Sequence, residues 1–227
     1  RLETEGWMFE LGRHIHLSLY SNMRDVRALN AAGINSDYLD IGFDETLWHP
    51  NGSTGNYPEI VFLGSNFGDC FPLSQYRRDM VSFLTSRYGD RFGCYGHGWS
   101  GPSTYPLIPI EQEVECLRSA KIAINLSHFN VERYSSDRLL RSLGCGPLVL
   151  THRYDGLEQD WNDGEHLISW NSLEQLKERI DFWLDSGYLA QEIGIAGCEE
   201  AHAKHTWKHR IENELLPMIN TLQENKK

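Results

Sequence analysis

Residues 135–150, SSDRLLRSLGCGPLVL, contain the strongest structural signal in the chain. They predict a polar loop, a short helix, a glycine turn and a buried strand, in that order. Ser or Asp at the helix start can cap it, because their side-chain oxygens accept hydrogen bonds from otherwise unpaired amides. Arg138 and Arg141 follow three positions apart, so they share one face of the predicted helix.

Arginine in the first turns of a helix opposes the macrodipole, which favours negative charge at that end. A pair of arginines there is favourable when an anion, such as a phosphate, sits among the free amides. An ordinary ion pair with Glu132 or Asp155 is the alternative. The loop by itself leaves both interpretations open.

Buried strands and amphipathic helices alternate on both sides of this stretch. The apolar run 60–63 ends at a glycine, which is typical of a buried parallel strand. Further strands are predicted at 92–95, 122–126, 147–150 and 167–170, and helices at 73–88, 110–120, 172–186 and 188–205. The pattern predicts an α/β fold, a Rossmann-like parallel sheet with helices on both faces.

The first 43 residues predict a strand at 14–20, a helix at 23–32 and a strand at 38–41, too little chain to bury its own core. Residues 44–57 are rich in turn formers and predict a connector. A last helix is predicted from Thr206 onward.

Parallel sheets of this type bind ligands beyond the carboxyl ends of their strands. We therefore expect the loops 64–68, 95–99 and 127–137 to meet at one edge of the sheet.

The chain has 227 residues and a net charge of −11, from 32 acidic and 21 basic side chains, which disfavours nucleic acid as a partner. We expect no transmembrane segment, because no apolar run approaches about 20 residues. The five cysteines are widely spread and form no C-x-x-C pair, which predicts a cytoplasmic protein without structural zinc or disulfides.

From about residue 59 onward, the chain resembles the donor-binding C-terminal half of GT-B glycosyltransferases, most closely the CgeB-like, group-1-related branch. The resemblance depends on the order of several short motifs. These are VFLG at 61–64 followed by Arg77 and Arg78, YGHGW at 95–99, SAKIAINL at 119–126, RLLRSLGCG at 138–146 with LVLT at 148–151, DGEHL at 163–167 and HTWKHR at 205–210.

The resemblance implies that residues 1–43 are a remnant of the N-terminal acceptor domain and 44–57 the interdomain linker. It makes 58–205 the nucleotide-sugar-binding domain and 206–227 a C-terminal helix. The implied function is glycosyl transfer from a nucleotide sugar to an unknown acceptor, without a cofactor or an obligatory metal. If the reaction inverts, the catalytic base is expected in the part of the acceptor domain outside this chain.

The resemblance also implies that the donor diphosphate lies at the amides near Arg138, with Arg138 assisting its departure. Physical chemistry agrees, because fixed amide dipoles and a guanidinium stabilise a departing diphosphate. His128 follows a strand end and could contact the donor sugar or phosphate, and a solvated loop histidine is the alternative. The candidate catalytic residues are thus Arg138 and His128. The candidate donor-binding residues are Gly64, Ser65, Asn66, Tyr95, Gly96, Trp99, Ile108, Ser135, Ser136, Asp137, Arg138 and Arg141.

Each candidate has a structural alternative. The segment 64–66 can be a routine strand-to-helix turn, and Tyr95 and Trp99 can fill the core instead of contacting a nucleobase. In the resembled family the base sits nearer the loop that here contains Ile108.

Two positions depart from the resembled pattern. The retaining branch places two Glu eight positions apart, and those positions hold Arg133 and Arg141 here. Arginine cannot accept the hydrogen bonds that a carboxylate accepts. A non-catalytic module that binds a nucleotide or nucleotide sugar is therefore the main alternative, and an adaptor with an acidic helical tail is a third.

Two other site types are less well supported. His202, His205 and His209 could line one continuous helix and bind a metal, but Thr206 interrupts that helix and no carboxylate or Cys completes the set. Acidic residues at 155, 158 and 160 lie in one loop rather than facing each other across a substrate.

Overall fold

The structure, a computed structural model, describes residues 4–224. The strands are β1 (Ser18–Tyr20), β2 (Ser36–Tyr38), β3 (Ile60–Leu63), β4 (Phe92–Tyr95), β5 (Thr104–Tyr105), β6 (Ile122–Asn125), β7 (Leu148–His152) and β8 (Ile168–Trp170). The α-helices are α1 (Gly6–Gly12), α2 (Met23–Ala31), α3 (Ser74–Tyr88), α4 (Ile110–Ser119), α5 (Asp137–Cys145), α6 (Leu173–Asp185), α7 (Gly187–Lys204), α8 (Trp207–His209) and α9 (Leu216–Glu224).

Strands β3 to β8 form one parallel sheet in the order β5-β4-β3-β6-β7-β8. This is the Rossmann order 3-2-1-4-5-6, in which the chain builds outward from a central strand and then switches to its other side. The predicted fold class is confirmed. Leu63 pairs with Tyr95 and Asn125 pairs with Thr151, so the carboxyl ends of four central strands lie side by side.

Alternating side chains of the strands supply two cores, one on each face of the sheet. Val61 and Leu63 face a core that includes buried residues of α4 and α5. Ile60 and Phe62 face a second core with buried residues of α3 and α6. Because both faces are covered, the central strand β3 is apolar throughout, as the sequence pattern indicated.

Residues 4–38 form a small N-terminal unit in which β1 and β2 pair in parallel and α2 covers them. Its own core is limited to Met8, Leu29 and Ile34 with partly buried neighbours. The unit is anchored to the large sheet by the loop after β6. The amide of Met23 donates to the carbonyl of Glu132 at 3.0 Å, and Arg27 forms an ion pair with the Glu132 carboxylate.

The C-terminal helical run returns to the segment 40–43, which follows the N-terminal unit. Thr206 caps it through a hydrogen bond from the His209 amide, which confirms that the helix is interrupted at this residue. The stretch Arg210–Leu215 is π-helical, and the Arg210 guanidinium faces Asp40 at 3.4 Å. None of the helices between residues 4 and 224 has the length and apolar character needed to span a membrane.

Candidate functional site

The candidate site lies at the crevice between β3 and β6, where the strand order reverses. Such switch points are the usual ligand sites of open parallel sheets. The loops after β3 and β4 are joined by backbone hydrogen bonds, from the Gly64 amide to the Tyr95 carbonyl and from the Asn66 amide to the His97 carbonyl, both at 2.8 Å. A Cβ at Gly96 would lie 2.5 Å from the Gly64 oxygen, so only glycine permits this approach.

Arg77 connects the loop after β3 with the loop after β6. Its side chain projects from α3 and is 1% exposed. One guanidinium nitrogen donates to the Ser65 carbonyl at 3.2 Å, and the other donates to the Leu126 carbonyl. Burial and the neighbouring Arg138 lower the pKa of Arg77 to about 9, so the group remains cationic at neutral pH. All three predicted loops therefore meet at one edge of the sheet.

Arg138, in the first turn of α5, is a second cation of this crevice. Its Nε and Nη2 atoms are buried and have no hydrogen-bond acceptor among residues 4–224. Burial lowers the pKa of the Arg138 guanidinium. No carboxylate within the described residues forms an ion pair with Arg77 or Arg138. Because desolvated cations without an ion-pair partner are costly, the buried Arg77 and the half-buried Arg138 are suited to an anion that enters the crevice.

His128 lies beside these two arginines. Burial, Arg77 and Arg138 together lower the pKa of His128 to about 3, so the imidazole is neutral at physiological pH. Both ring nitrogens are buried without a hydrogen-bond partner in the described part of the chain. The ring packs against Phe71 at 4.5 Å between centroids. A neutral imidazole offers one donor and one acceptor to a ligand.

The N-terminus of α5 is open. Ser136 occupies the N-cap position, but its side chain makes no capping hydrogen bond, so the prediction of a side-chain cap there is wrong. Its hydroxyl donates instead to Asn125 at 3.1 Å, and its amide donates to the Ser127 hydroxyl. The first-turn amides at Asp137 and Arg138 are among those that a helix leaves unpaired. Ser135 is buried beside them.

Arg133 and Arg141, which stand where the resembled family has Glu, both have carboxylate partners. Arg141 lies 2.6 Å from Asp137 and 3.4 Å from Glu113, and its guanidinium lies over the Trp48 ring. Arg133 pairs with an acid in the same way, at 2.7 Å from Asp160. Glu132 instead pairs with Arg27, and neither α5 arginine forms an ion pair with Glu132 or Asp155. An ordinary ion pair therefore accounts for Arg141, through other acids than those expected, but not for Arg138.

The predicted aromatic residues lie on opposite faces of the sheet. Tyr95 is 7% exposed and stacks on Tyr105 at 4.9 Å in the α4 and α5 core. Trp99 packs against the α3 and α6 core, and its indole donates to the Gly64 carbonyl at 2.5 Å. Ile108 is partly buried against the first core.

A cavity of about 500 Å³ separates the N-terminal unit from this edge of the sheet. We call it the cleft cavity. Its lining residues are Glu5, Tyr20, Ser21, Asn22, Arg24, Cys70, Phe71, Phe129, Val131 and Tyr134. Tyr134 acts electrostatically on both Arg77 and Arg138, so the cavity adjoins the cationic crevice.

Sequence reasoning did not select Arg77 or the cavity aromatics as site residues. A signal for Arg77 was present, because it shares a helical face with the buried Met80, Val81 and Leu84. An arginine on an apolar face must satisfy its charge inside the protein. The cavity residues gave no such signal, since their proximity depends on the packing of the N-terminal unit.

Within residues 4–224, no three His, Cys, Asp or Glu side chains are grouped so that they could hold a metal ion.

Solved structures share this fold at low sequence identity. HepE from Anabaena, in complex with UDP and glucose, matches 94% of the chain with a TM-score of 0.69 and 10% identity. A glycosyltransferase from Rickettsia africae matches 99% with a TM-score of 0.68 and 12% identity. Sucrose-phosphate synthase from Thermosynechococcus elongatus matches 92% with a TM-score of 0.63 and 14% identity.

The chain spans 58% of the sucrose-phosphate synthase chain, 65% of HepE and 69% of the Rickettsia enzyme. A search of curated proteins found no sequence match. The model of one protein family, described as glycosyl transferase-like, matches residues 77–215, which include Arg77, the α5 crevice and the start of the C-terminal helical run. The chain belongs to the glycosyl transferase-like family.

Proposed function

We propose that this chain forms the donor-binding part of a glycosyltransferase that moves a sugar from a nucleotide sugar to an acceptor hydroxyl. The observation that supports this most strongly is the pair of cations formed by the buried Arg77 and the half-buried Arg138, neither of which forms an ion pair with a carboxylate among residues 4–224. The pair lies at a topological switch point, beside an uncapped helix N-terminus. An anionic diphosphate would satisfy the cations and the amides together.

The proposed net reaction breaks the bond between the anomeric carbon and the diphosphate oxygen, and the electron pair leaves with the nucleoside diphosphate. The acceptor oxygen forms the new bond to the anomeric carbon, and its proton is released to water. The leaving diphosphate gains negative charge as the bond breaks. Fixed amides and a guanidinium stabilise that charge more in the transition state than in the substrate, which is how they would accelerate the step.

We assign the diphosphate to Arg138 and the first-turn amides of α5, with Ser135, Ser136 and Asp137 shaping that end of the helix. Gly64, Ser65 and Asn66 would face the same ligand from the loop after β3, while Arg77 positions that loop. Neutral His128 would exchange hydrogen bonds with the donor sugar or phosphate. No metal takes part in this proposal, because the two guanidinium groups supply the positive charge.

The remaining predicted donor residues would hold the loops of the site in place instead of contacting the diphosphate. Tyr95 and Trp99 hold the loop after β4 against Gly64, and Arg141 is held by its two acids. The loop at Ile108 stays the proposed place of the nucleobase.

The finer assignments are also proposals. The motif order supports the CgeB-like branch and the division into residues 1–43, 44–57, 58–205 and 206–227. The five free cysteines are consistent with a cytoplasmic location. HepE, which holds UDP and glucose, makes UDP the first nucleotide to test.

A non-catalytic nucleotide or nucleotide-sugar module is the second candidate. It is favoured by Arg133 and Arg141, which stand where the resembled family has carboxylates and are paired with Asp160, Glu113 and Asp137. Both candidates bind the same ligand, so formation of a glycoside product by the full-length protein separates them.

A thermal-shift panel of UDP, GDP, ADP and their sugar conjugates tests the proposal. A ligand at 100 times its Kd stabilises a folded protein by about 2.7 kcal/mol. For a domain of this size that is a rise in Tm of roughly 5–10 °C. We expect one nucleoside diphosphate to give this shift, and Arg138→Gln to abolish it.

Arg91→Gln is the matched control, because Arg91 is an exposed arginine paired with Glu59. It should leave the shift unchanged. The absence of a shift with every nucleotide would contradict the proposal and favour the adaptor alternative.

A further inference from the structure

A second cavity, of about 540 Å³, lies at the edge of the large sheet opposite the candidate donor crevice. Lys121 and Pro147 line it, and they come directly before β6 and β7, so the cavity is at the amino ends of these strands. The four residues of β6 place roughly 13 Å of sheet between the two sites. We call this cavity the amino-edge groove. The proposed transfer reaction does not use it.

The amino-edge groove is long and mainly apolar. Its lining residues on α7 run from Gly187 to Glu199, a rise of about 18 Å at 1.5 Å per residue. The other apolar lining residues include members of α6 and of the segments that start β6 and β7, namely Ala120, Pro147, Leu148 and Trp183. The volume lies within the range of about 300–1,000 Å³ usual for small-molecule sites. An elongated apolar ligand therefore fits the groove better than a compact one.

Arg118, near the end of α4, marks one end of the groove. Its guanidinium donates to the His49 carbonyl at 2.7 Å, which holds the half-buried side chain in place. The guanidinium opposes the rise in pKa that burial causes at the Cys145 thiol, and Cys198 also acts on that thiol, so the three side chains are neighbours. Cys198 belongs to the C-terminal half of α7. Arg118 therefore lies at the end of the groove that is far from Gly187.

The charged side chains of the groove have a net positive charge. Arg118 forms no ion pair with a carboxylate in the described part of the chain. Lys121 pairs with Glu59 at 2.5 Å, but Glu59 also pairs with Arg91. Among residues 4–224, Glu199 is the one carboxylate that lines the groove, and it is exposed, so solvent and salt screen its charge. The groove thus favours a ligand with one negative charge at the Arg118 end, although the whole chain has a net charge of −11.

We propose that the amino-edge groove binds an apolar carboxylic acid of the fatty-acid type, with its carboxylate at Arg118 and its chain along α7 towards Trp183. Hydrogen bonds between a guanidinium and a carboxylate are about twice as strong as neutral ones. A neutral or cationic chain would lose that interaction. A short acid would keep it but leave the apolar length of the groove unfilled. The inference does not rest on the proposed function, because the two sites lie at opposite edges of the sheet.

Titration calorimetry with octanoate, butyrate, 1-octanol and octylamine tests the inference. Octanoate should bind at least about tenfold more tightly than butyrate, because each buried methylene contributes about fourfold. It should also bind about tenfold or more tightly than 1-octanol and octylamine, which have the same chain without the negative charge. Saturating UDP should leave the octanoate affinity unchanged.

Arg118→Gln should weaken octanoate binding by about tenfold and leave 1-octanol binding within about twofold. A purely structural role of Arg118 would weaken both ligands alike, so the ratio of the two affinities is the decisive readout. Arg179→Gln is the matched control, because Arg179 is exposed on α6 and does not line the groove. Arg118→Lys keeps the charge and should retain the preference for octanoate, which covers the case in which Arg118→Gln does not fold.

Trp183→Ala should weaken octanoate and 1-octanol alike, between about twofold and tenfold, since it removes one aromatic contact with the chain. Phe182→Ala is its control. Phe182 is the adjacent aromatic residue and contacts the Trp183 ring, but it is exposed and does not line the groove. Thermal unfolding of each variant shows whether it is folded.

The inference is overturned if octanoate does not bind at millimolar concentration, or if 1-octanol or octylamine binds as tightly. Equal octanoate affinities in Arg118→Gln and Arg179→Gln would overturn it as well. Displacement of octanoate by UDP would place the acid in the donor crevice, which also contradicts the inference.

Discussion

The guanidinium of Arg77 donates a hydrogen bond to the carbonyl oxygen of Ser65 at 3.2 Å. The same buried group donates to the carbonyl of Leu126, on the other side of the crevice between β3 and β6. One side chain therefore sets the spacing of the two loops that would hold the diphosphate. It also keeps a positive charge beneath that position, since nothing anionic pairs with it among residues 4–224.

Arg77→Met should lower the free energy of unfolding by about 3 kcal/mol. The substitution leaves two carbonyls without their charged donor, and hydrogen bonds to charged groups contribute roughly 1.5–3 kcal/mol each. Urea unfolding measures the loss. The neighbouring Arg78→Met is the control, because Arg78 forms an ion pair with the exposed Asp69 and such pairs contribute about 0–1 kcal/mol. Equal losses in the two variants would show that Arg77 has no special role.

Gly96→Ala should separate the loops after β3 and β4. The added Cβ would lie 2.5 Å from the Gly64 oxygen and 2.9 Å from the Ser65 nitrogen, both backbone atoms. Relieving this overlap should cost about 1–3 kcal/mol in stability and weaken nucleotide binding. Gly187→Ala is the control, because a Cβ there meets nothing within 4 Å. Titration calorimetry with UDP checks the result, and unchanged affinity in Gly96→Ala would contradict the proposed ligand position.

Arg141→Glu restores the residue type of the resembled family, yet we expect it to impair the protein. A carboxylate at this position would face Glu113 and Asp137, and the contact with the Trp48 ring would be lost. The free energy of unfolding should fall by about 1–2 kcal/mol. Arg141→Met, which removes attraction without adding repulsion, should cost less. An Arg141→Glu protein that is as stable as wild type and consumes donor faster would refute this account of Arg141.

Asp40 should make stability decrease with rising pH. Burial, opposed by Arg210, raises the pKa of Asp40 to about 7, from roughly 4 in an unfolded chain. The folded protein therefore holds this proton more tightly, and stability is lost as pH rises between those values. The largest slope is about 1.4 kcal/mol per pH unit.

Asp40→Asn removes this titration. The free energy of unfolding of the variant minus that of wild type should rise from pH 4 to 7 and stay constant above pH 7. Loss of the charged contact with Arg210 shifts the free energy of unfolding of the variant by a constant amount at all pH values. Urea unfolding at pH 4.5, 6 and 8 tests the slope, with Asp155→Asn in an exposed loop as the control. Parallel wild-type and Asp40→Asn curves would contradict the prediction.

The large sheet could be predicted from the sequence because its strands are buried on both faces. All four residues of Ile60–Leu63 are buried, and an apolar run ending in glycine is a direct consequence of that burial. Strand β5 was not predicted, since its two residues are only partly covered and lie at the sheet edge in a loop rich in glycine and proline. Helix α1 was not predicted either. It is seven residues long, starts and ends at glycine, and buries only Met8 and Gly12.

The meeting of the site loops could be predicted, because parallel strands place their carboxyl ends at one edge. The ion-pair partners of the side chains could not be predicted from the sequence. Arg141 pairs with Asp137 in its own helix, but its second acid, Glu113, reaches α5 from another helix. Tyr95 and Trp99 lie four residues apart but on opposite faces, because the chain turns over the strand end between them. The cleft cavity depends on a second unit whose position no local pattern specifies.

The affinity difference between UDP and uridine tests the central claim most directly, because the two ligands differ only in the diphosphate. Titration calorimetry should find UDP at least about a hundredfold tighter than uridine with the wild-type chain, as expected for charge-assisted hydrogen bonds to a half-buried guanidinium and helix amides. In Arg138→Gln that ratio should fall by about tenfold or more, while uridine affinity stays the same. Equal affinities for UDP and uridine, or an unchanged ratio in Arg138→Gln, would contradict the assignment of the crevice to a diphosphate.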